Sequence, residues 1–285
     1  FHGGGKSLGD AGMSRDTFPW KVMHEQDEEG KPYRDIVFGD SSLVLSGSTS
    51  TGKTTLAKAL MLHALAQGKQ TVYIAPTRAL VYEVYQDFCE LLESLRARAA
   101  DLDEDEGKGE YRQLIEDLVT ADDSRFVLST GEKNEKDGQV LRGDYLILFS
   151  VYEKANLFMN MLSLQAEGRR PDIIIIDELH MLCDEDRGGI LDLFMGKVLS
   201  MRWQDEVRLI GITTEDKGAD TVKNFLRSLG KPVSLLSIPH RPLPVDHYLL
   251  AGEKTSLIAS LRGTVDGISQ REQRRIAREL YTEEN

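Results

Sequence analysis

Apolar positions along the chain fall into two rhythms, and their alternation carries the first prediction. Short, mainly apolar runs read as strands: Leu43-Val44-Leu45, Thr71 to Ala75, Phe126-Val127-Leu128, Tyr145 to Phe149, Val207 to Ile212 and Val233 to Ile238. Between them apolar residues recur every three or four positions. That spacing predicts helices over Thr54 to Gln67, Ala79 to about Arg96, Tyr111 to Val119 and Ala155 to Ala166. Gly68 follows the first of these where a helix commonly ends on glycine. The most apolar run, Asp172-Ile173-Ile174-Ile175-Ile176-Asp177, has no polar alternation at all, as expected for a strand covered on both faces. Strands that alternate with helices predict an α/β fold, a mostly parallel sheet with helices on both faces and ligands at the carboxyl ends of its strands.

Three stretches stand apart from this pattern. Residues 1–40 are rich in Gly, Asp and Glu with little periodicity, and are expected to be a loose lead-in or partly a tag, with Phe18-Pro19-Trp20 packing on the domain edge. The acids of Asp101 to Glu106 read as a solvated insertion, or else as an acidic interaction loop. Gln270 to Tyr281 is a charged helix in which Arg271, Arg274, Arg275 and Arg278 sit among acids.

Composition narrows the picture. With 35 Lys and Arg against 47 Asp and Glu, the net charge of −12 argues against a nonspecific polycation for nucleic acid but leaves room for a local basic groove. Cys89 and Cys183 are too few for a disulfide framework and suit reduced thiols, which points to a nuclear, otherwise cytoplasmic, location. No run approaches a membrane span, so no membrane partner is expected. The chain starts at Phe1 and not at Met, and a fragment of a longer protein is the expectation.

The chemistry lies where strands end. Gly47-Ser48-Thr49-Ser50-Thr51-Gly52-Lys53-Thr54-Thr55 fits the phosphate-binding pattern G-x-x-x-x-G-K-[ST] between a strand and a helix. Its glycines let backbone N–H groups point at a polyphosphate, Lys53 neutralises the β and γ phosphates, and Thr54 holds Mg²⁺, so ATP and Mg²⁺ are the expected cofactors. Asp177-Glu178-Leu179-His180 closes the isoleucine strand. Beside the loop, Asp177 orients Mg²⁺ through water and Glu178 polarises the attacking water; carboxylates at a strand end could instead cap a helix.

Together these segments resemble the first RecA-like domain of a superfamily-two DExH-box helicase. Gly47–Thr55 resembles motif I, Ala75-Pro76-Thr77-Arg78-Ala79-Leu80 motif Ia, Ser129-Thr130-Gly131-Glu132 motif Ib and Asp177–His180 motif II. Glu153-Lys154-Ala155-Asn156, Glu178-Leu179-His180-Met181-Leu182 with Asp186-Arg187-Gly188-Gly189 and Leu191-Asp192, and His240-Arg241-Pro242-Leu243-Pro244-Val245 are similar to the Ski-like group, which includes DNA helicases of the polymerase-theta type and RNA helicases of the exosome and spliceosome. The resemblance implies a helicase ATP-binding domain over residues 41–250, followed over 251–285 by a helix and linker towards a second RecA-like domain.

It further implies that Lys53, Asp177, Glu178 and His180 are catalytic. Pro76, Thr77, Arg78, Thr130 and Gly131 would touch the backbone of a single-stranded or partly duplex nucleic acid, DNA in the first place or else RNA. Thr213, Thr214 and Glu215 would couple the site to the second domain through His180. The sequence departs from the family pattern in lacking an adenine-reading motif before the loop and in carrying Glu215 where motif III usually has threonine. The leading expectation is an ATP-dependent helicase motor with a role in DNA repair, the isolated chain being nearly inactive. The alternatives are a degenerate module that binds nucleotide as a scaffold, and an ATPase switch that does not translocate.

Overall fold

The computed structural model describes residues 30–48, 51–100, 120–164, 170–184, 188–200, 206–214, 222–224 and 232–238, together with Gln26, Leu118 and Arg227. All of them belong to one compact unit, Phe1–Arg241; a second unit, Pro242–Asn285, lies outside them. Also outside are Phe18 to Trp20, Thr49 and Ser50, the acidic stretch after Ala100, most of the helix expected over 111–119, Asp186 and Arg187, Glu215, the His240–Val245 connection and the charged tail.

Seven strands form one sheet: β1 (Ser42–Gly47), β2 (Thr71–Ala75), β3 (Phe126–Ser129), β4 (Ile147–Val151), β5 (Ile173–Ile176), β6 (Arg208–Thr213) and β7 (Val233–Ile238). Their order is β3-β4-β2-β5-β6-β1-β7 and every pairing is parallel. The helices are α1 (Tyr33–Val37), α2 (Lys53–Ala66), α3 (Arg78–Ala100), α4 (Asp137–Leu141), α5 (Tyr152–Leu164) and α6 (Gly188–Ser200). Successive strand residues face opposite sides, so Leu43, Leu45, Tyr73, Ile173 and Ile175 pack with α2 and α3 in one apolar cluster. Val44, Val72, Ile74, Ile174 and Ile176 pack with α5 and α6 in the other. The four isoleucines of β5 are thus buried on both faces, as their unbroken run required.

Helix α2 ends as its sequence indicated. Gly68 has φ +65°, while its N–H and that of Lys69 bond back to Leu65 O and Ala64 O at 3.0 Å, the paired closure that glycine favours. Three expectations are corrected. Residues 33–37, inside the stretch read as loose, form α1, with Ile36 and Val37 buried. The α1 carbonyls of Ile36 and Val37 accept from Arg208 Nη2 at 3.3 and 2.7 Å, and Ser41 O accepts from Arg208 Nε at 2.8 Å. Burial lowers the Arg208 pKa to about 10 despite the nearby Asp40. Strand β4 runs to Val151 rather than ending at Phe149, because Ser150, polar in sequence, is fully buried in the sheet. Helix α5 accordingly begins at Tyr152. Among the described residues no helix is long and apolar enough to cross a membrane.

Candidate active site

Strand β6 separates the phosphate loop from the acidic tetrad. It pairs with β1 on one side and β5 on the other, so the two segments leave the sheet two inter-strand spacings apart, about 10 Å. That gap is wide enough for a phosphate and a water, and narrow enough for side chains from both ends to meet.

Gly52 supplies the left-handed turn into α2, with φ +81°. Thr51 Oγ1 donates to Ser48 O at 2.8 Å. Lys53, at the start of α2, is 9% exposed and its Nζ donates to Gly47 O at 2.6 Å and Ser48 O at 2.7 Å. Burial lowers its pKa, and the charges of Glu178 and Asp177 oppose that shift. The lysine and the two carboxylates therefore share one electrostatic environment although they come from opposite sides of β6.

Asp177 is held from three directions. Its backbone N–H extends the ladder to Ile74 O at 2.9 Å, and its Oδ1 accepts from the Glu178 N–H at 2.9 Å. Its Oδ2 accepts from the Tyr73 hydroxyl at 2.5 Å. The register explains that last bond: Tyr73 is level with Ile175, and Asp177 lies two residues further on. Residues two apart share a face, so Asp177 is the diagonal neighbour that a long side chain reaches. The Tyr152 hydroxyl, from the first residue of α5, donates to the Asp177 carbonyl oxygen. Burial pushes the Asp177 carboxyl up, with Tyr73, the Glu178 N–H, Lys53 and His180 pulling it back.

Glu178 has φ +53°, the one left-handed non-glycine among the described residues. Strained backbone of this kind persists only where packing holds it; here the next residue, Leu179, is 2% exposed. A Cβ on Gly211 of β6 would stand 2.4 Å from Leu179 Cδ2, so the bare glycine makes the space that Leu179 occupies. The Glu178 pKa is raised by burial and then by Asp177, against His180 and Lys53. Its Oε2 is buried without a hydrogen-bond donor and lies 3.2 Å from His180 Nδ1. His180 Nδ1 also approaches Thr214 Oγ1 at 3.4 Å. The structure thus brings Lys53, Asp177, Glu178, His180 and Thr214 together. Thr54 is half-buried, Thr55 exposed and Thr213 buried, while Thr49, Ser50 and Glu215 lie outside the described residues.

On the neighbouring strand ends, Thr77 and Arg78 follow β2 and are exposed, as is Gly131 after β3. Pro76 and Thr130 are buried. The Thr130 hydroxyl accepts from Lys133 N at 3.3 Å, and its own N–H donates to Lys133 O at 2.9 Å. Thr130 thus holds its own turn, and Thr77, Arg78 and Gly131 are the exposed members of this set. Glu153 to Asn156 lie in α5. There Lys154 pairs with Asp137, which also accepts from Ser129 Oγ at 2.6 Å, and Asn156 accepts from Lys197. Sequence reasoning missed Tyr73 and Tyr152 as site residues. The one signal was at Tyr73, a phenol among aliphatic neighbours in a strand, since a buried hydroxyl needs a partner; Tyr152, followed by Glu153 and Lys154, carried none.

Residues 33–214 match the DEAD/DEAH box helicase family. The chain is 27% identical over 225 residues to an activating signal cointegrator 1 complex subunit 3-like protein of Dictyostelium discoideum, covering 74% of this chain and 9% of that protein. It is 25% identical over 248 residues to the human U5 small nuclear ribonucleoprotein 200 kDa helicase, covering 80% and 10%. It is also 25% identical over 226 residues to the ATP-dependent DNA helicase Hel308 of Thermoplasma volcanium, covering 79% and 28%. The chain therefore spans less than a third of each of these relatives. A structure of the Mycobacterium smegmatis helicase Lhr bound to ssDNA and AMP-PNP superposes with a TM-score of 0.52 at 19% identity, over 73% of this chain and 25% of that one.

Proposed function

The match over residues 33–214 makes this chain a member of the DEAD/DEAH box helicase family, and from that membership we propose that it is the ATP-binding first RecA-like domain of a Ski-like helicase, coupling ATP hydrolysis to unwinding of DNA or RNA. The observation that carries the reading is the convergence of Lys53, at the start of α2, with the adjacent Asp177 and Glu178 just past β5, three buried or half-buried charges that meet across β6. Lys53 exchanges its bonds to the Gly47 and Ser48 carbonyls for the β and γ phosphates of ATP. Glu178, whose raised pKa makes it a stronger base, takes a proton from the attacking water. His180, between Glu178 and Thr214, senses the state of that site and passes it towards the end of β6.

A divalent cation fits the residues present. Two adjacent carboxyls, Asp177 buried and Glu178 half-buried, have their charged forms disfavoured by burial, and a hard cation with oxygen ligands relieves that cost. Thr54 and Asp177 would hold Mg²⁺, which when bound neutralises charge on the transferred phosphoryl group. The second RecA-like domain would supply an arginine finger, worth roughly 10³–10⁵ in rate, so the 285-residue chain alone should hydrolyse ATP very slowly.

The test is titration of a fluorescent ATP analogue in Mg²⁺. Lys53→Ala should weaken binding about 10- to 150-fold, the loss of hydrogen bonds to a charged partner. Glu178→Gln should bind like wild type, yet lower turnover by about 10²–10⁴ in the protein that carries both RecA-like domains. Equal affinity of wild type and Lys53→Ala would refute the site.

A further inference from the structure

Arg78 and Tyr82 lie one turn apart at the start of α3, and both face the turn Thr130–Lys133 that follows β3. The two strands are not neighbours, because β4 lies between them. Two exposed contacts bridge the gap. Arg78 Nη1 pairs with Glu132, both side chains being more than half exposed, and Lys133 Nζ sits 4.8 Å above the centre of the Tyr82 ring. A Cβ on Gly131 would come within 2.9 Å of Arg78 Nη2, so the guanidinium lies across that glycine. Tyr82 is 41% exposed, one of four large hydrophobic side chains so exposed among the described residues. Its hydroxyl accepts an exposed hydrogen bond from Gln86 Nε2 at 3.0 Å.

A solvent-facing aromatic ring with one cation over its face and a second a helical turn away is the arrangement that receives a single strand, the ring stacking a base and the cations taking nearby phosphates. We propose that Tyr82 and Lys133, with Arg78 beside them, form a stacking platform for single-stranded nucleic acid, and that Glu132 occupies Arg78 until a phosphate replaces it. The exchange costs little, because exposed ion pairs and exposed cation–π contacts are weak. It is also concerted. A base that takes the face of Tyr82 displaces Lys133, and the freed ammonium, at the end of the turn that carries Gly131, is then available to a neighbouring phosphate. This inference rests on the helicase reading and extends its nucleic-acid face beyond Thr77, Arg78 and Gly131.

The experiment is fluorescence anisotropy of labelled oligo-dT and oligo-U with the 285-residue chain across a salt series, alongside the ATP-analogue titration. Tyr82→Ala should weaken binding about 5- to 150-fold, while Tyr82→Phe, which keeps the ring, should match wild type. Lys133→Ala should lower the slope of log affinity against log salt by about 0.7, one phosphate contact on a single strand. Glu132→Gln should bind more tightly than wild type. If wild type binds both nucleotide and oligonucleotide while Tyr82→Ala and Lys133→Ala bind as it does, the platform is overturned and the helicase reading stands. If wild type binds the ATP analogue but neither oligonucleotide, both the platform and the nucleic-acid half of the proposed function fall.

Discussion

Tyr73→Phe isolates one bond of the site. It removes a hydroxyl that is 0% exposed and donates to Asp177 Oδ2 at 2.5 Å, and it leaves the ring in place against Phe149. A hydrogen bond to a charged group contributes about 1.5–3 kcal/mol, and losing a residue that orients a metal ligand typically costs about 10- to 100-fold in metal affinity. The two ranges agree, since about 1.4 kcal/mol is tenfold. The Mg²⁺ concentration at half-saturation should therefore rise about 10- to 100-fold when metal is titrated into chain and fluorescent ATP analogue, with metal-free nucleotide affinity unchanged. Tyr145→Phe is the matched control. Tyr145 is also 0% exposed, but its hydroxyl is buried without a partner, so its removal should be neutral or stabilising and leave the Mg²⁺ midpoint in place. If Tyr73→Phe also leaves the midpoint unmoved, the hydroxyl does not position Asp177 for metal.

Two further outcomes follow from the same geometry. Because burial raises the Asp177 pKa, its contribution favours folding below the ordinary aspartate range and is lost as pH rises through the folded value. At pH 7–8 without metal, Asp177→Asn should therefore melt higher than wild type by roughly 0.5–2 kcal/mol, about 1–8 °C, and the gain should vanish below about pH 4; identical melting curves at neutral pH would show that Tyr73 and Lys53 fully compensate burial. Gly211→Ala puts a methyl 2.4 Å from Leu179 Cδ2 and should cost about 1–3 kcal/mol while lowering turnover more than nucleotide affinity. The double variant Gly211→Ala, Leu179→Ala should recover part of that loss in denaturant melts, and simple additivity would exclude the contact as the cause.

Much of the fold was legible in the sequence because burial on both faces leaves a plain signature. The four isoleucines of β5 needed no register to be recognised, and Gly68 marked the end of α2 by chemistry that glycine serves best. What stayed hidden depends on long-range pairing. Helix α1 is short and polar at its start, and it is fixed by Arg208, far along the chain. The end of β4 was obscured by the buried Ser150. At the site, the phosphate loop and acidic tetrad announce themselves by spacing, whereas Tyr73 joins them only through the β2–β5 register, which no local pattern encodes. The exposed contacts of Tyr82 and Lys133 belong to the same class, since they require β3 and β2 to lie on either side of β4.

The pairing of β1 also sets an order in time. The strand that leads into the phosphate loop pairs only with β6 and β7, and Ser42 Oγ meets its partner Leu209 N across 167 residues. At about 5–20 residues per second, a ribosome takes roughly 10–30 s to make that interval. Meanwhile β2, β3, β4 and β5 can already pair among themselves, leaving Leu43, Val44 and Leu45 as an apolar edge in want of a neighbour. A nascent chain halted before β6 would thus hold half a sheet and no nucleotide site, and the onset of ATP binding would mark the moment at which the last strands have closed the domain.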